Sequence, residues 1–459
     1  MQINQSKCST LFILTIGIIG WPSALSANEL SLCEKVFLRG EKISSFIERE
    51  KKQESPDAQY ISRLEKIKNC SSLLEMASLK DNGLLKDRSA IASTLLDVFN
   101  QFHTKWLMPT DYDRSLKCND SYQWDIYDKS SPAYHLSRTL FQNERKASMA
   151  VTAYGEYRIV RKGEDPTISS RTQKTSQEYK EALGLERELS FSGQGEILGF
   201  LYERANDISQ FELPVKKNSQ WQKAMPFQNE HNIYQHFGAG LLGSPSFLYY
   251  HLKEKAHYSS NGKSRLPRKL VDSIFQNLLC SSPEKYFDKK FQNEYLDSFS
   301  DKENKMWNHP ITKEQNCLKC HLPLDQMAAG LRHLTLIPSQ KQCSSPKGAQ
   351  AKIQVLYPIF LKSTHSDQIW DTPNENESFF PSSYPVGYLG TKKYRSLREL
   401  GKLISEDPLF YQCQVKKYYQ WIHNKYPKEE VIKELGQRYQ DHQNGIKLLN
   451  ELIGMEKEK

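Results

Sequence analysis

Apolar residues return every three or four positions over much of this chain. In RSAIASTLLDVFNQFHTKWL, residues 88–107, Ile91, Leu95, Phe99, Phe102 and Trp106 fall on one side of a helix. A stripe of this kind faces a core. Met108-Pro109-Thr110-Asp111 then ends the pattern. Residues 28–110 as a whole read as helical. AVTAYGEYRIVRKG, 150–163, is rich in β-branched and aromatic residues and predicts a short strand or hairpin. The polar stretch 164–186 predicts an exposed loop. GQGEILGFLYERA, 193–205, predicts a short helix after a glycine turn, and 206–230 shows no assignable period.

The second half alternates in the same way. In HNIYQHFGAGLLGSPSFLYYHLKEK, residues 231–255, Ser244 reads as an N-cap with Pro245 at the first helical position. Residues 259–265, SSNGKSR, read as a surface loop. PRKLVDSIFQNLLC, 267–280, is helical in period through Leu270, Ile274, Leu278 and Leu279. AKIQVLYPIFLKS, 351–363, has strand character, and 364–385 is a long polar, proline-bearing loop. Ser396-x-x-Glu399 is a capping box opening a helix, and Asp407-Pro408 starts the next. That helix carries Leu409, Val415, Tyr418, Tyr419 and Ile422. A last helix runs from about Lys428 to Gly454. No internal repeat stands out. The predicted fold is mainly α, with multi-helix domains, minor β hairpins and one cysteine-bearing segment. Its expected organisation is a signal peptide at 1–27 and a mostly helical domain with a small β element at 28–215. A helical region ending in the cysteine segment follows at 216–345, then a strand and long loop at 346–390 and a helical domain at 391–459.

Composition narrows the class. The hydrophobic fraction, 38%, is low, but 24 Tyr and 20 Phe supply large core side chains, so a packed protein is predicted rather than a disordered one. The formal charge is +9, with the basic residues scattered among 54 acidic ones. A mildly basic surface suits an acidic partner or anionic head groups. No basic stripe or binding motif points to nucleic acid.

The opening MQINQSKCSTLFILTIGIIGWPSALSANEL sets the expected compartment. Lys7 supplies a positive start, Leu11 to Trp21 an apolar run, and Ala24-Leu25-Ser26-Ala27 small residues for cleavage. This pattern predicts a secretory signal peptide, an uncleaved anchor being the alternative. Cys8 precedes the apolar run and so is not placed as a lipidation site. No other stretch is apolar enough to cross a membrane.

Candidate chemistry lies at residues 316–334, NCLKCHLPLDQMAAGLRHL. Nine Cys and twelve His in 459 residues produce a C-x-x-C-H by chance in only about one such chain in two hundred. The spacing lets Cys317 and Cys320 add to the two vinyl groups of a haem, while His321 binds the iron. Three rivals stand beside this reading. A redox dithiol would follow an apolar strand and open a helix, but NKMWNHPITKEQN precedes the motif and Pro323 follows it. Zinc would want a second cysteine or histidine pair, for which only His333 and Cys343 lie near. The last rival is a loop disulfide. With Cys317 and Cys320 set aside, Cys33, Cys70, Cys118, Cys280, Cys343 and Cys413 allow three disulfides in 15 connectivities. No G-x-S-x-G, H-E-x-x-H or phosphate-loop pattern occurs. His231 and His236, five apart, face different ways on a helix.

The segment CLKCHLPLDQMAAGLRHL resembles the haem segment of the planctomycete-type c-type cytochromes, large exported bacterial proteins. Their pattern is C-x-x-C-H, a short gap, Asp-Pro, a small residue and an apolar stretch ending near Asn. Asp325 matches the aspartate, Gln326 stands where proline is usual, and His333 stands where Asn is common. GLLGSPSFLYY (240–250), LPRKLVDSIFQNLLC (266–280) and SLRELGKLISEDPLFYQCQVKKYYQWI (396–422) resemble further blocks of that family in order, and FNQFHTKWL (99–107) does so more weakly. The resemblance covers patches of residues 85–425. It implies a periplasmic protein with one covalent haem c and brings no substrate; a redox partner protein is expected from the electron-transfer reading.

A sixth iron ligand would come from Met327, His333, Met306, His309 or His365, or the position stays open. Asp325 reads as a helix cap, with a bond to the haem surroundings as the alternative, and Lys319 as a charge near the haem rim that guides an acidic partner. The expected function is one-electron transfer. A haem oxidoreductase with an unknown substrate and an envelope binding protein with a secondary haem are the alternatives.

Overall fold

In a computed structural model the chain is mainly helical. The structure describes residues 27–108, 116–119, 122–124, 129–142, 145–153, 156–162, 195–203, 239–251, 268–290, 315–331, 334–344, 350–360, 387–394 and 396–455. The predicted signal segment before Ala27, the loops at 164–186, 259–265 and 364–385, residues 206–230, His231 and His236 lie outside them.

Five helices form the N-terminal part: α1 (Ala27–Phe37), α2 (Ile43–Lys51), α3 (Ala58–Glu65), α4 (Cys70–Glu75) and α5 (Ala90–Leu107). Ser89 caps α5, its hydroxyl accepting from the Ala92 N–H. Ile91, Leu95, Phe99 and Trp106 of the predicted stripe are buried, Phe102 packs partly buried against the same core, and the helix stops at Leu107. Next come the short hairpin β1 (Leu116–Asn119) and β2 (Tyr122–Trp124), then α6 (Ser131–Phe141) and α7 (Met149–Thr152).

Strand β3 (Glu156–Arg161) appears where the sequence predicts one, but its partner corrects the prediction for 193–205. That segment is strand β4 (Ile197–Glu203), antiparallel to β3, and not a helix. Ile197, Phe200 and Leu201 have helical spacing, yet β4 completes β3 and lies against the 83–85 turn. The Phe200 N–H donates to the Gly83 carbonyl at 2.9 Å, and Leu85 N–H to Leu198 at 2.7 Å. Gly199 (φ +144°) crosses Gly83 so closely that a Cβ would meet its backbone.

After a 3-10 turn at Gly240–Gly243 come α8 (Pro245–His251), α9 (Arg268–Asn277) and a second 3-10 turn, Pro283–Tyr286. Pro245 opens α8 as predicted. Helix α10 (Gln315–Ala329) carries the cysteine motif. Strand β5 (Leu334–Ser344), which the sequence reading did not foresee inside its helical 216–345 region, pairs antiparallel with the foreseen β6 (Gln350–Phe360). A tight hairpin, β7 (Gly387–Leu389) and β8 (Lys392–Tyr394), precedes the C-terminal helices.

In α11 (Leu397–Glu406) the Ser396 hydroxyl accepts from the Glu399 N–H at 3.1 Å. In α12 (Pro408–His423) the Asp407 carboxylate accepts from the Leu409 N–H at 2.9 Å. The single helix predicted from Lys428 to Gly454 is two, α13 (Glu429–His442) and α14 (Gly445–Gly454). Gln443 at φ +50° breaks it and Asn444 caps the second, accepting from Lys447 N–H at 2.9 Å. The break lets α14 fold back: a Cβ on Gly445 would strike Leu140 of α6.

One continuous apolar core runs from Cys33 to Ile453. It holds an aromatic group built by α1, α5, α6 and α12, in which Phe102 stacks on Trp421 at 4.1 Å and Phe99 meets Phe141 edge-on at 4.9 Å. Two cysteine pairs lie at disulfide distance, Cys33–Cys70 and Cys280–Cys413, with Cα atoms 5.9 and 5.0 Å apart. The second spans 133 residues and joins the end of α9 to α12. Closing a loop of that length restrains the unfolded chain by about 5 kcal/mol on a chain-entropy account. The side chains of Cys118 and Cys343 lie outside the described ones. No described helix is long and apolar enough to cross a membrane.

Non-reducing peptide mapping is expected to recover Cys33 joined to Cys70 and Cys280 joined to Cys413. Either cysteine joined to another partner would contradict this arrangement.

Candidate functional site

Helix α10 descends from the surface into the core. Lys319 near its start is exposed and Cys320 half-buried, whereas Leu322, Asp325, Gln326, Met327 and Ala328 are buried. Pro323 sits inside the helix instead of at its first turn. Proline has no N–H for the carbonyl four residues back, which belongs to Lys319. Because Lys319 is at the surface, water can satisfy that carbonyl.

Two tethers hold the buried half. Arg268, the first residue of α9, forms a two-pronged ion pair with Asp325: Nε donates to Oδ1 and Nη2 to Oδ2, the latter at 2.8 Å. The carboxylate side chain is 4% exposed and the guanidinium 39%. This corrects the reading of Asp325 as a cap: the residue lies mid-helix and ties α10 to α9. At the far end the Tyr394 hydroxyl donates to the Met327 carbonyl. Burial pushes the Tyr394 phenol well above its usual pKa, so it stays a donor. A Cβ on Gly330 would come within 2.5 Å of the Tyr394 ring, so the hairpin can seat only on glycine there.

The helix brings Cys317, Cys320 and His321 onto adjacent turns. The side chains of Cys317 and His321 lie outside the described ones. Cys320 is the one unpaired cysteine among those described. Burial, then the carboxylates of Glu284 and Asp272, push its thiol pKa up. An attacking thiolate needs the opposite shift, which weighs against Cys320 as the nucleophile of a dithiol. The same two carboxylates bring negative charge near Cys320, the residue after Lys319. Of the proposed sixth ligands, Met327 is fully buried in the protein core. His333, Met306, His309 and His365 lie outside the described residues. No group of three or more His, Cys, Asp or Glu suited to a metal occurs among the described residues.

A second polar feature escaped the sequence reading. His103 is wholly buried between α5, α6 and α12, its Nδ1 2.8 Å from Ser137 Oγ and its Nε2 2.8 Å from Tyr418 Oη. Burial lowers its pKa to about 3, so it is neutral and can give one hydrogen bond and take the other. Its signal in the sequence is the helical stripe, since it lies four residues after Phe99. Nearby His135 is also buried, with its pKa lowered to about 3 by burial and then by Arg145 and Arg138. Its ring packs on Tyr157 at 4.7 Å, and neither nitrogen has a partner among the described residues.

No protein-family model matches this chain, and no curated protein or solved structure compared with it matches either.

Arg268→Ala would leave the Asp325 carboxylate buried without its guanidinium. Such a loss costs about 3–5 kcal/mol, and urea unfolding should show it. A cost under 1 kcal/mol would mean that the pair does not anchor α10. For the histidines, the folded pKa lies below the unfolded 6.5, so the unfolded chain takes up protons first as pH falls. Their neutral burial costs no stability above pH 6.5 and destabilises progressively between 6.5 and about 3. His135→Phe keeps the ring packing and removes one of these titrations, so its stability should fall less over that interval. An unchanged acid slope would contradict the assignment.

Proposed function

We propose that this protein is an exported, mono-haem c-type cytochrome that transfers single electrons. The observation that carries the proposal is the state of Cys320. In a chain whose other described cysteines are paired, the unpaired, half-exposed thiol is the one that belongs to C-x-x-C-H. Thioether formation requires such a thiol, whereas a structural cysteine would be bonded or sealed in the core. Cys317 and Cys320 would form the two thioethers, and His321 would hold the iron from the proximal side. When bound, the haem supplies a reversible one-electron couple.

The chain's own groups supply the rest. Asp325 and Arg268 hold the buried half of α10 rigid, so the attachment residues lie on a fixed helix and not on a loop. The exposed Lys319 beside half-buried Cys320 leaves an edge open to a partner. Lys319 contributes positive charge there and Glu284 and Asp272 negative charge, so partner docking would depend on a mixed pattern. Two cysteine pairs at disulfide distance and the N-terminal apolar segment are consistent with an oxidising, exported location.

The test is expression in a host that matures c-type cytochromes. The expected product is red and keeps its haem through acid–acetone extraction. Cys317→Ser/Cys320→Ser should lose that resistant haem, while the Cys33–Cys70 pair still forms. A colourless, folded wild-type product from a host that matures a control cytochrome would overturn the proposal.

A further inference from the structure

The buried pair His103 and Tyr418 has a chemistry that packing does not use. Tyr418 Oη lies 2.8 Å from His103 Nε2, and His103 Nδ1 lies 2.8 Å from Ser137 Oγ. The imidazole is neutral, so one ring nitrogen carries a proton and the other accepts a hydrogen bond. A phenol is a better donor than an aliphatic hydroxyl. The favoured tautomer therefore has Nδ1–H donating to Ser137 and Nε2 accepting from Tyr418. Burial, and then Tyr439, push the Tyr418 phenol well above its usual pKa, so the resting side chain keeps its proton. Loss of an electron reverses this, because an oxidised phenol is a strong acid. Nε2 is then a base already within hydrogen-bond reach. Even with its pKa lowered to about 3, it is the more basic of the two. The electron has a route as well. Tyr418 meets Phe102 at 5.7 Å, and Phe102 stacks at 4.1 Å on Trp421, which is half-buried.

We propose that Tyr418 is a redox-active tyrosine, with His103 as its proton acceptor and Trp421 as the ring that meets the oxidant. The oxidant is a high-potential one-electron acceptor, of the class of peroxide-derived radicals. It takes one electron from the Trp421 indole and leaves a radical cation there. That ring takes one electron from Tyr418 while the Oη proton moves to Nε2. The products are a neutral Tyr418 radical, restored Trp421 and a His103 imidazolium still bonded to Ser137. The proton stays within the core, so the oxidised phenol needs no path to water. The inference stands apart from the haem reading. A hydrogen bond that only fixed the packing would leave oxidation to exposed rings such as Tyr426.

The test uses the full-length exported protein, held in the ferric state where it carries haem. Ruthenium(III) tris-bipyridine, generated by a laser flash, is the oxidant. Freeze-quenched high-field EPR reads which ring is oxidised, and nitrogen NMR of the resting protein reads the His103 tautomer. The expected result is a neutral tyrosyl signal coupled to an exchangeable proton, with Nε2 unprotonated at rest. Tyr418→Phe should lose that signal, and Trp421→Phe should form it more slowly. A signal undiminished in Tyr418→Phe, a signal formed at the wild-type rate in Trp421→Phe, a tyrosyl without an exchangeable coupling, or a resting Nε2–H would overturn the inference. If a variant does not fold, the coupling and the tautomer, both read on the wild type, decide, and the absence of either overturns it.

Discussion

A carboxylate inside a protein must either be paired or lose its charge. Asp325 is paired, and its guanidinium partner comes from the first residue of α9. Much of the arrangement around the motif follows from that requirement. The pair fixes the buried half of α10 against α9, while Tyr394 fixes the following carbonyl against the β7–β8 hairpin. With its lower end held, α10 presents Lys319 at the surface and Cys320, half-buried, beside it. The Cys280–Cys413 pair then ties the end of α9 to α12, so the motif is linked to the main core through covalent and ionic contacts.

That core makes the two ends of the chain one body. His103 joins α5, α6 and α12 through Ser137 and Tyr418, and Phe102 stacks on Trp421 across the same boundary. Each buried polar atom of the His103 ring has a partner, so the network adds specificity to a packing that apolar contacts alone would fix less sharply. His135 differs. It is buried with no described partner for either nitrogen, and it keeps its neutral form against two neighbouring guanidinium groups. A molecule with two such rings is prepared to lose stability in acid.

Local signals in the sequence were readable where local chemistry determines the outcome. The α5 stripe, Pro245 at the start of α8, and the Ser396 and Asp407 caps all depend on residues within a turn of one another. Long-range partners were not readable. Residues 197–203 have a spacing that fits a helix as well as a strand, and pairing with β3 and the close approach of Gly199 to Gly83 decide between them. Asp325 resembles a cap until a guanidinium 57 residues earlier is placed beside it. The split between α13 and α14 turns on a single left-handed residue, Gln443, of a type that gives little warning. At the candidate site the motif itself was legible in full, because its three residues are nearly contiguous. The anchoring pair, the unpaired state of Cys320 and the acidic groups beside it depended on the fold.

The central claim is that Cys317 and Cys320 are bonded to a porphyrin and are not thiols. Tryptic mass spectrometry of the exported protein, alkylated under denaturing conditions, tests it most directly. The account predicts that the peptide containing residues 317–321 carries the mass of one haem and takes up no alkylating reagent. Recovery of that peptide without haem and with two alkylated cysteines, from cells that mature other c-type cytochromes, would contradict it.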